Sequence, residues 1–427
     1  MKKFLTILFL TGLLTAGIAA AENPAKTAGA GRAILGINDD PKEIVVTAVS
    51  ADGSAIQVEG CTVTELPSGE KTILTATGSK VTLKGAITEL NCKGNRLSSL
   101  DVRELTALQV LRCGSNRLTS LDVRGLTALQ VLYCDNNRLT SLDVRGLTLL
   151  RNLRCHTNQL TSLNVQGAAA LQELSCDNNR LTSLNVQGAA ALQELSCDNN
   201  RLTSLDVRGL TALRVLSCGD NRLTALDVRR LTALQELHCG SNKIASLDVR
   251  GLSALQVLYC DNNRLSSLNV RGLSALQWLI CWDNQLTALD VRGLTALQWL
   301  ECGDNQLSAL DVQGLPALQA LGVQYNRFEE DSVIRILNAL PDRSEEQEGS
   351  VVLYAEDEIH PKENGSVVYT IRRILAKGRD THPKKSGSVV YASAEFRSAF
   401  EAAKKKNWKL FMQTEDEEGT EIRLQEE

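Results

Sequence analysis

The run LTSLNVQGAAALQELSCDNNR, residues 160–180, is followed letter for letter by itself at residues 181–201. The frame reaches far beyond this pair. Asparagine recurs every 21 residues from Asn95 to Asn326, twelve times without a slip. Cysteine keeps the same period from Cys92 to Cys302, eleven times, with Val323 in the twelfth place. The unit reads L-x-x-L-x-C-x-x-N-x-L-x-x-L-D-V-x-G-L-x-x, as in Leu108, Leu111, Cys113, Asn116, Leu118, Leu121, Val123 and Leu126. Self-similarity at a fixed short period is the signature of stacked repeats, because one such unit cannot bury its apolar face alone.

The spacing within the unit sets local geometry. In LQVLRCGSN, residues 108–116, Leu111 and Cys113 are two apart, so on a strand both point to one face. Val110, Arg112 and Gly114 then point to the other. The asparagine belongs in an edge turn, where its amide can satisfy backbone groups of its own and neighbouring coils. The ten residues left per coil are too few for a helix with two turns, and LDVRGL alternates apolar with polar. Short extended or 3₁₀ segments are expected there, on the convex side. The first half of the unit is the leucine-rich-repeat pattern, and 21 residues lies at its short end.

The expected fold is therefore an α/β repeat solenoid of about twelve coils, with a parallel β-sheet on its concave face. A small β cap precedes it and a small α/β cap follows. The expected divisions are a signal peptide at 1–21, a linker and β cap at 22–86, the solenoid at 87–328 and the C-terminal cap at 329–427. In the last of these, EDSVIRILNALPDR and SAEFRSAFEAAKKKNW have helical spacing, while GSVVLYAE and KLFMQTE read as strands.

Composition narrows the function. A net charge of −4 and 4% aromatic residues argue against a nucleic-acid binder, which is normally basic. The start, MKKFLTILFLTGLLTAGIAAAENP, has the layout of a secretory signal peptide. Residues 4–21 are just long enough to be weighed as an anchor, but Gly12, Gly17 and the alanine-rich end favour cleavage. No second apolar segment appears near the C-terminus, so no membrane span is expected after signal removal. No cofactor and no metal are expected, since clustered ligands such as C-x₂-C are absent. His360 and His382 sit in a near-repeat, HPKENGSVVY and HPKKSGSVVY, but each precedes proline and reads as a turn residue. No serine–histidine–acid or glycine-rich phosphate motif is recognisable, which argues against an enzyme.

Twelve cysteines in an exported chain would ordinarily suggest disulfides. Eleven of them, Cys92, Cys113, Cys134, Cys155, Cys176, Cys197, Cys218, Cys239, Cys260, Cys281 and Cys302, take the same inward place in successive coils. Their side chains would run parallel at a strand separation of ~4.8 Å, whereas a disulfide needs Cβ atoms about 3.8 Å apart and a torsion near 90°. They read as small buried apolar groups that let coils stack. Cys61, outside the series, is the one candidate reactive thiol.

With leucine, cysteine and asparagine held constant, function should sit where the unit varies. At the outward positions around each cysteine, early coils carry Arg112, Tyr133, Arg154 and His156, polar with a basic lean. Middle coils carry Glu173, Asp177, Glu194 and Asp198. Late coils carry Tyr259, Trp278, Ile280, Trp282 and Trp299, with three of the four tryptophans. By strand alternation these face away from the core, and an apolar patch of that kind marks either a binding site or a surface covered by the C-terminal cap. On the convex side, Asp122 with Arg124 and its equivalents suggest belts in which each arginine bridges acids of neighbouring coils.

The cysteines set inside L-x-x-L-x-C-x-x-N-x-L-T-x-L-D-V make residues 80–328 resemble the cysteine-ladder leucine-rich repeats of internalin-J-like bacterial surface proteins. The flanks SKVTLKGAITELNCKGN and AFEAAKKKNWKLF are similar more weakly. The resemblance implies a secreted or cell-surface protein that binds a protein or glycoprotein through its concave face in host adhesion and virulence, and a monomer is expected. One departure is that the chain ends EIRLQEE, without the wall-anchoring motif of Gram-positive members. A periplasmic or envelope scaffold for the cell's own components is the alternative, and an enzyme housed in residues 329–427 a third.

Overall fold

The computed structural model describes residues 31–37, 42–344, 349–355, 393–413 and 420–421. The leader at 1–21 and the histidines of the HPK near-repeat lie outside them. The described chain separates into two compact units that meet in sequence at Leu234 and Gln235.

The first unit begins with strands β1 (Gly31–Gly36), β2 (Glu43–Ser50), β3 (Ile56–Glu59), β4 (Glu65–Leu66), β5 (Thr72–Thr75) and β6 (Lys80–Gly85). Their apolar residues alternate with polar ones, as half-buried strands require. β1 runs antiparallel to β6 on one side and to Ser99–Asp101 on the other. The first coil strand, β7 (Ile87–Asn91), pairs antiparallel with β2 and parallel with Val110–Arg112. An otherwise open edge of the coil sheet is thereby paired, which removes a template for aggregation.

After β7 each coil contributes a three-residue strand to this sheet, stepping by 21 residues in strict parallel register: Val110↔Val131, Val131↔Asn152, Asn152↔Glu173, Glu173↔Glu194 and Glu194↔Val215. The central leucine and the following cysteine of each strand are fully buried, as at Leu174 and Cys176. Each leucine removed from water contributes about 1.5–3 kcal/mol, and only the neighbouring coils supply the apolar wall against which it packs.

The asparagine explains why the turn keeps its register. Asn179 Nδ2 donates to Cys155 O of the preceding coil at 3.1 Å and to Cys176 O of its own at 3.0 Å, while its Oδ1 accepts from Leu160 N at 2.9 Å. Only an amide offers two donors and an acceptor in one short side chain. The same pattern recurs at Asn116, Asn137, Asn158 and Asn200. At the first coil β2 stands in for a coil, with Val45 N and O both 2.7 Å from the Asn95 amide. The residue before each of these asparagines is left-handed, for example Asn178 at φ 56° and Asn199 at φ 51°. Short polar side chains tolerate that region best, which accounts for the D-N-N spelling.

The return path matches the expected short extended segments in part. Ser99–Asp101 pairs with β1, and Ser141–Asp143 and Ser162–Asn164 form a parallel pair. Elsewhere it is built from consecutive turns, such as Leu126 N to Val123 O and Leu129 N to Leu126 O.

The second unit repeats the coil at Glu236–His238, Val257–Tyr259, Trp278–Ile280, Trp299–Glu301 and Ala320–Gly322, again parallel and in register. Helix α1 (Glu330–Ala339) turns Val333, Ile336 and Leu337 inward, and Ser332 Oγ donates to Ser308 O at 2.9 Å. Strand Gly349–Ala355 extends the sheet in parallel beyond Ala320–Gly322, and Trp408–Gln413 extends it again. Helix α2 (Ala394–Lys405) is capped by Ser393, whose Oγ accepts from Phe396 N at 3.0 Å. Trp408 is core, its Nε1 donating to Pro341 O at 2.7 Å.

Candidate functional site on the strand face

Outward residues of successive strands form columns, and three regions of this face differ in chemistry. In the first unit Arg112, Tyr133 and Arg154 are register neighbours. Both guanidinium groups lie over the Tyr133 ring, at 5.8 and 4.7 Å from its centre. Arg154 also pairs with Glu173 at 2.6 Å, and Arg112 with Glu89 at 3.8 Å. The basic lean read from the sequence is thus matched by acids on adjoining coils. His156 lies one residue past Cys155, half-buried and 3.3 Å from Thr157 Oγ1.

The acidic stretch is likewise internally bonded. Ser175 Oγ donates to Asp177 Oδ1 at 2.8 Å, Ser196 Oγ to Asp198 Oδ2 at 3.2 Å, and Gly219 N to Asp198 Oδ1 at 2.6 Å.

In the second unit Trp278 and Trp299 stack, ring centres 5.2 Å apart and planes 4° from parallel. Strand register places them at equivalent positions of consecutive coils, and the close, flat overlap follows from that. Trp278, Trp282, Trp299 and Tyr259 are half-buried. Tyr259 meets His238 edge-on at 4.7 Å, and burial raises its phenol above the ordinary range. Ile280 departs from expectation. Alternation assigns it to this face, but it is only 8% exposed, flanked in register by Tyr259 and Glu301. It therefore offers little area of its own to a partner.

Two residues that the sequence reading passed over lie beside the tryptophans. Glu301 follows Ile280 in its column, accepts from Trp299 Nε1 at 3.1 Å, and is raised by burial to about 7. Gln324 is 5% exposed. The available signal was Gly322, opposite Glu301, where every other coil carries a side chain; Gly303 gave none, since Gly114, Gly219 and Gly240 hold the same place in other coils.

The eleven ladder cysteines are all buried and all free. Burial pushes the Cys92 thiol up to about 12 and raises those of Cys113 and Cys134 as well. Cys61 is half-buried and also free. Among the described residues no group of acids, histidines and cysteines could hold a metal ion, and no helix is long and apolar enough to cross a membrane.

The convex Asp–Arg series is arranged differently from the belts expected. Arg124 pairs with Asp122 of its own coil at 2.9 Å, and Arg124 N donates to the same carboxylate at 3.1 Å. The backbone bond two residues on brings acid and base together locally, so the pair closes within the coil. Asp122 is held down to about 2 by Arg124. Arg271 is the exception. Its own coil offers Asn269, and it reaches Asp290 of the next coil at 2.8 Å.

Comparisons agree with this geometry. The family model for leucine-rich repeats, in two copies, matches residues 190–230 and 232–272. No curated protein matches the chain. The functional domain of InlJ from Listeria monocytogenes, described as including a cysteine ladder, is 30% identical with a TM-score of 0.52. The match covers 64% of this chain and 66% of that one, just under two thirds of it. An internalin (inlF) from Listeria monocytogenes is 25% identical over 56% of this chain and 82% of its own, with a TM-score of 0.46. YopM, a leucine-rich effector protein from Yersinia pestis, shares the fold at 24% identity and a TM-score of 0.51, covering 63% of this chain and 78% of its own. The chain thus carries leucine-rich repeats with a cysteine ladder, folded in a manner similar to the InlJ domain.

Proposed function

We propose that this protein is a secreted or surface-exposed recognition module, without enzymatic activity, that binds a protein or glycoprotein partner on its strand face in host adhesion. The observation that carries the reading is the Trp278–Trp299 stack with Trp282 beside it, half-exposed and held on a rigid parallel sheet. Tryptophan dominates binding hot spots because it buries a large area at little cost in rotamer freedom. A sheet whose every turn is bonded through an asparagine gives up little conformational freedom when a partner docks. The similarity to the InlJ domain and the ordinary role of leucine-rich repeats in protein interaction support the same reading.

The test compares wild type with the Trp278→Ala/Trp282→Ala double variant in pull-downs from host-cell surface extracts, alongside thermal unfolding of both. Lost capture with an unchanged melting temperature is expected. A lowered melting temperature with capture intact would show instead that the rings pack against the protein's own chain. Protease shaving of intact cells tests surface exposure, and complete protection would defeat it.

A further inference from the structure

We propose that Glu301, Gln324 and the Trp299 ring form a receptor for a cationic side chain, an arginine presented by the partner protein. The inference rests on the strand face being the binding surface and adds the chemistry of one contact.

The geometry begins with a missing side chain. Gly322 faces Glu301 across the strand pair. A Cβ at Gly322 would overlap the Glu301 carboxyl, so that carboxyl leans into the space above the next coil. The same Cβ position lies 3.1 Å from Gln324 Oε1. In turn the Gln324 amide leans back over Gly303, where a Cβ would meet its Cδ at 2.7 Å. Two glycines therefore let a carboxylate and an amide oxygen converge on one spot.

These groups are short of donors. Gln324 Oε1 is buried and has no hydrogen-bond partner. Glu301 receives one bond, from Trp299 Nε1, and makes no ion pair among the described residues. Buried acceptors are almost always satisfied, and an orphan in a native fold calls for a reason. A guanidinium supplies several N–H donors in a planar fork, matches a carboxylate, and stacks on indole. Two oxygen side chains are too few for a calcium ion, which takes six or more ligands.

Charge points the same way. Between residues 276 and 326 stand five acids, Asp283, Asp290, Glu301, Asp304 and Asp311, against one base, Arg292, which is paired with Asp290. After the ladder asparagine, most coils carry arginine or lysine, yet Gln285 and Gln306 occupy that place in these coils. The raised Glu301 carboxyl is what a buried acid without a counter-cation shows.

The experiment uses the full chain with ¹⁵N-labelled indoles and follows the Trp299 Nε1–H signal by NMR at pH 8. The probes are acetyl-arginine amide and its uncharged isostere acetyl-citrulline amide. A saturable shift is expected, with arginine preferred by about tenfold, the factor that a single charge-assisted contact of ~1.4 kcal/mol supplies. Glu301→Gln should abolish the preference, and Gln324→Met should weaken it should the first variant fail to fold. Equal binding of both probes, no binding of either, or an arginine preference surviving in both variants would overturn the proposal. Partner capture that persists in Glu301→Gln but is lost in the tryptophan double variant would retire the arginine receptor alone and leave the binding face standing.

Discussion

Removing one ladder asparagine, Asn200→Ala, is the sharpest test of how the coils are held together. Asn200 is 8% exposed. Its Nδ2 donates to Cys176 O at 3.0 Å, Cys197 O at 3.1 Å and Asp198 O at 3.1 Å, and its Oδ1 accepts from Leu181 N at 2.9 Å. The losses are unequal. Cys176 O keeps a bond from Asn179 Nδ2, and Cys197 O keeps one from Asn221 Nδ2. Leu181 N keeps nothing. An orphaned buried N–H costs about 1–3 kcal/mol, and the weakened carbonyls add about 1 kcal/mol between them. The expected destabilisation is therefore about 3 kcal/mol. Urea unfolding of the full chain measures it, read as a shift in midpoint at constant slope. Because repeat arrays can unfold in parts, amide exchange at Leu181 serves as a local readout and should accelerate. Thr203→Ala, on an exposed position of the same coil, should stay within ~0.5 kcal/mol of wild type. If Asn200→Ala matched that control and left Leu181 exchange unchanged, the amide ladder would not be what fixes the coils in register.

Further outcomes follow from the same geometry. In the native protein a thiol reagent should modify Cys61 alone, and all twelve cysteines should react after denaturation, because the ladder thiols are buried and hard to ionise. Fast native labelling of several ladder positions would contradict the inside–outside assignment. Glu301 is raised from 4.5 to about 7 in the folded chain, so the fold holds its proton where the unfolded chain releases it. Its contribution is complete below pH 4.5 and is lost as pH rises to about 7, a loss of roughly 3 kcal/mol that Glu301→Gln should flatten. A variant with the same pH profile as wild type would remove Glu301 as the source. Thr157 sits in the left-handed region at φ 53°, where a β-branched residue is strained. Thr157→Asn should raise stability by about 1 kcal/mol, and an unchanged or lower melting temperature would show the strain to be relieved elsewhere.

Periodicity alone specified much of this protein. A 21-residue repeat of leucine, cysteine and asparagine dictates a stack of coils, because the pattern has no other way to bury its apolar face. Alternation about each cysteine assigned Leu174 and Cys176 inward and Trp278 outward, since that assignment is a property of the strand itself. Helices at Glu330–Ala339 and Ala394–Lys405 were readable for a similar reason, their spacing being local. What alternation cannot say is how an outward side chain then leans.

That depends on the free volume and charge of neighbours 21 residues away, which only the tertiary structure decides. Ile280 faces outward yet is covered, because Tyr259 and Glu301 stand beside it. Arg112 and Arg154 look basic in the sequence, but acids on adjacent coils meet them. Arg124 closes on its own coil because a backbone bond holds Asp122 there first, whereas Arg271, lacking that acid, crosses to the next. Glu301 and Gln324 converge because Gly322 and Gly303 leave room on the facing strands. A sequence encodes the face to which each residue belongs, while the packing of one coil on the next determines what that residue can touch.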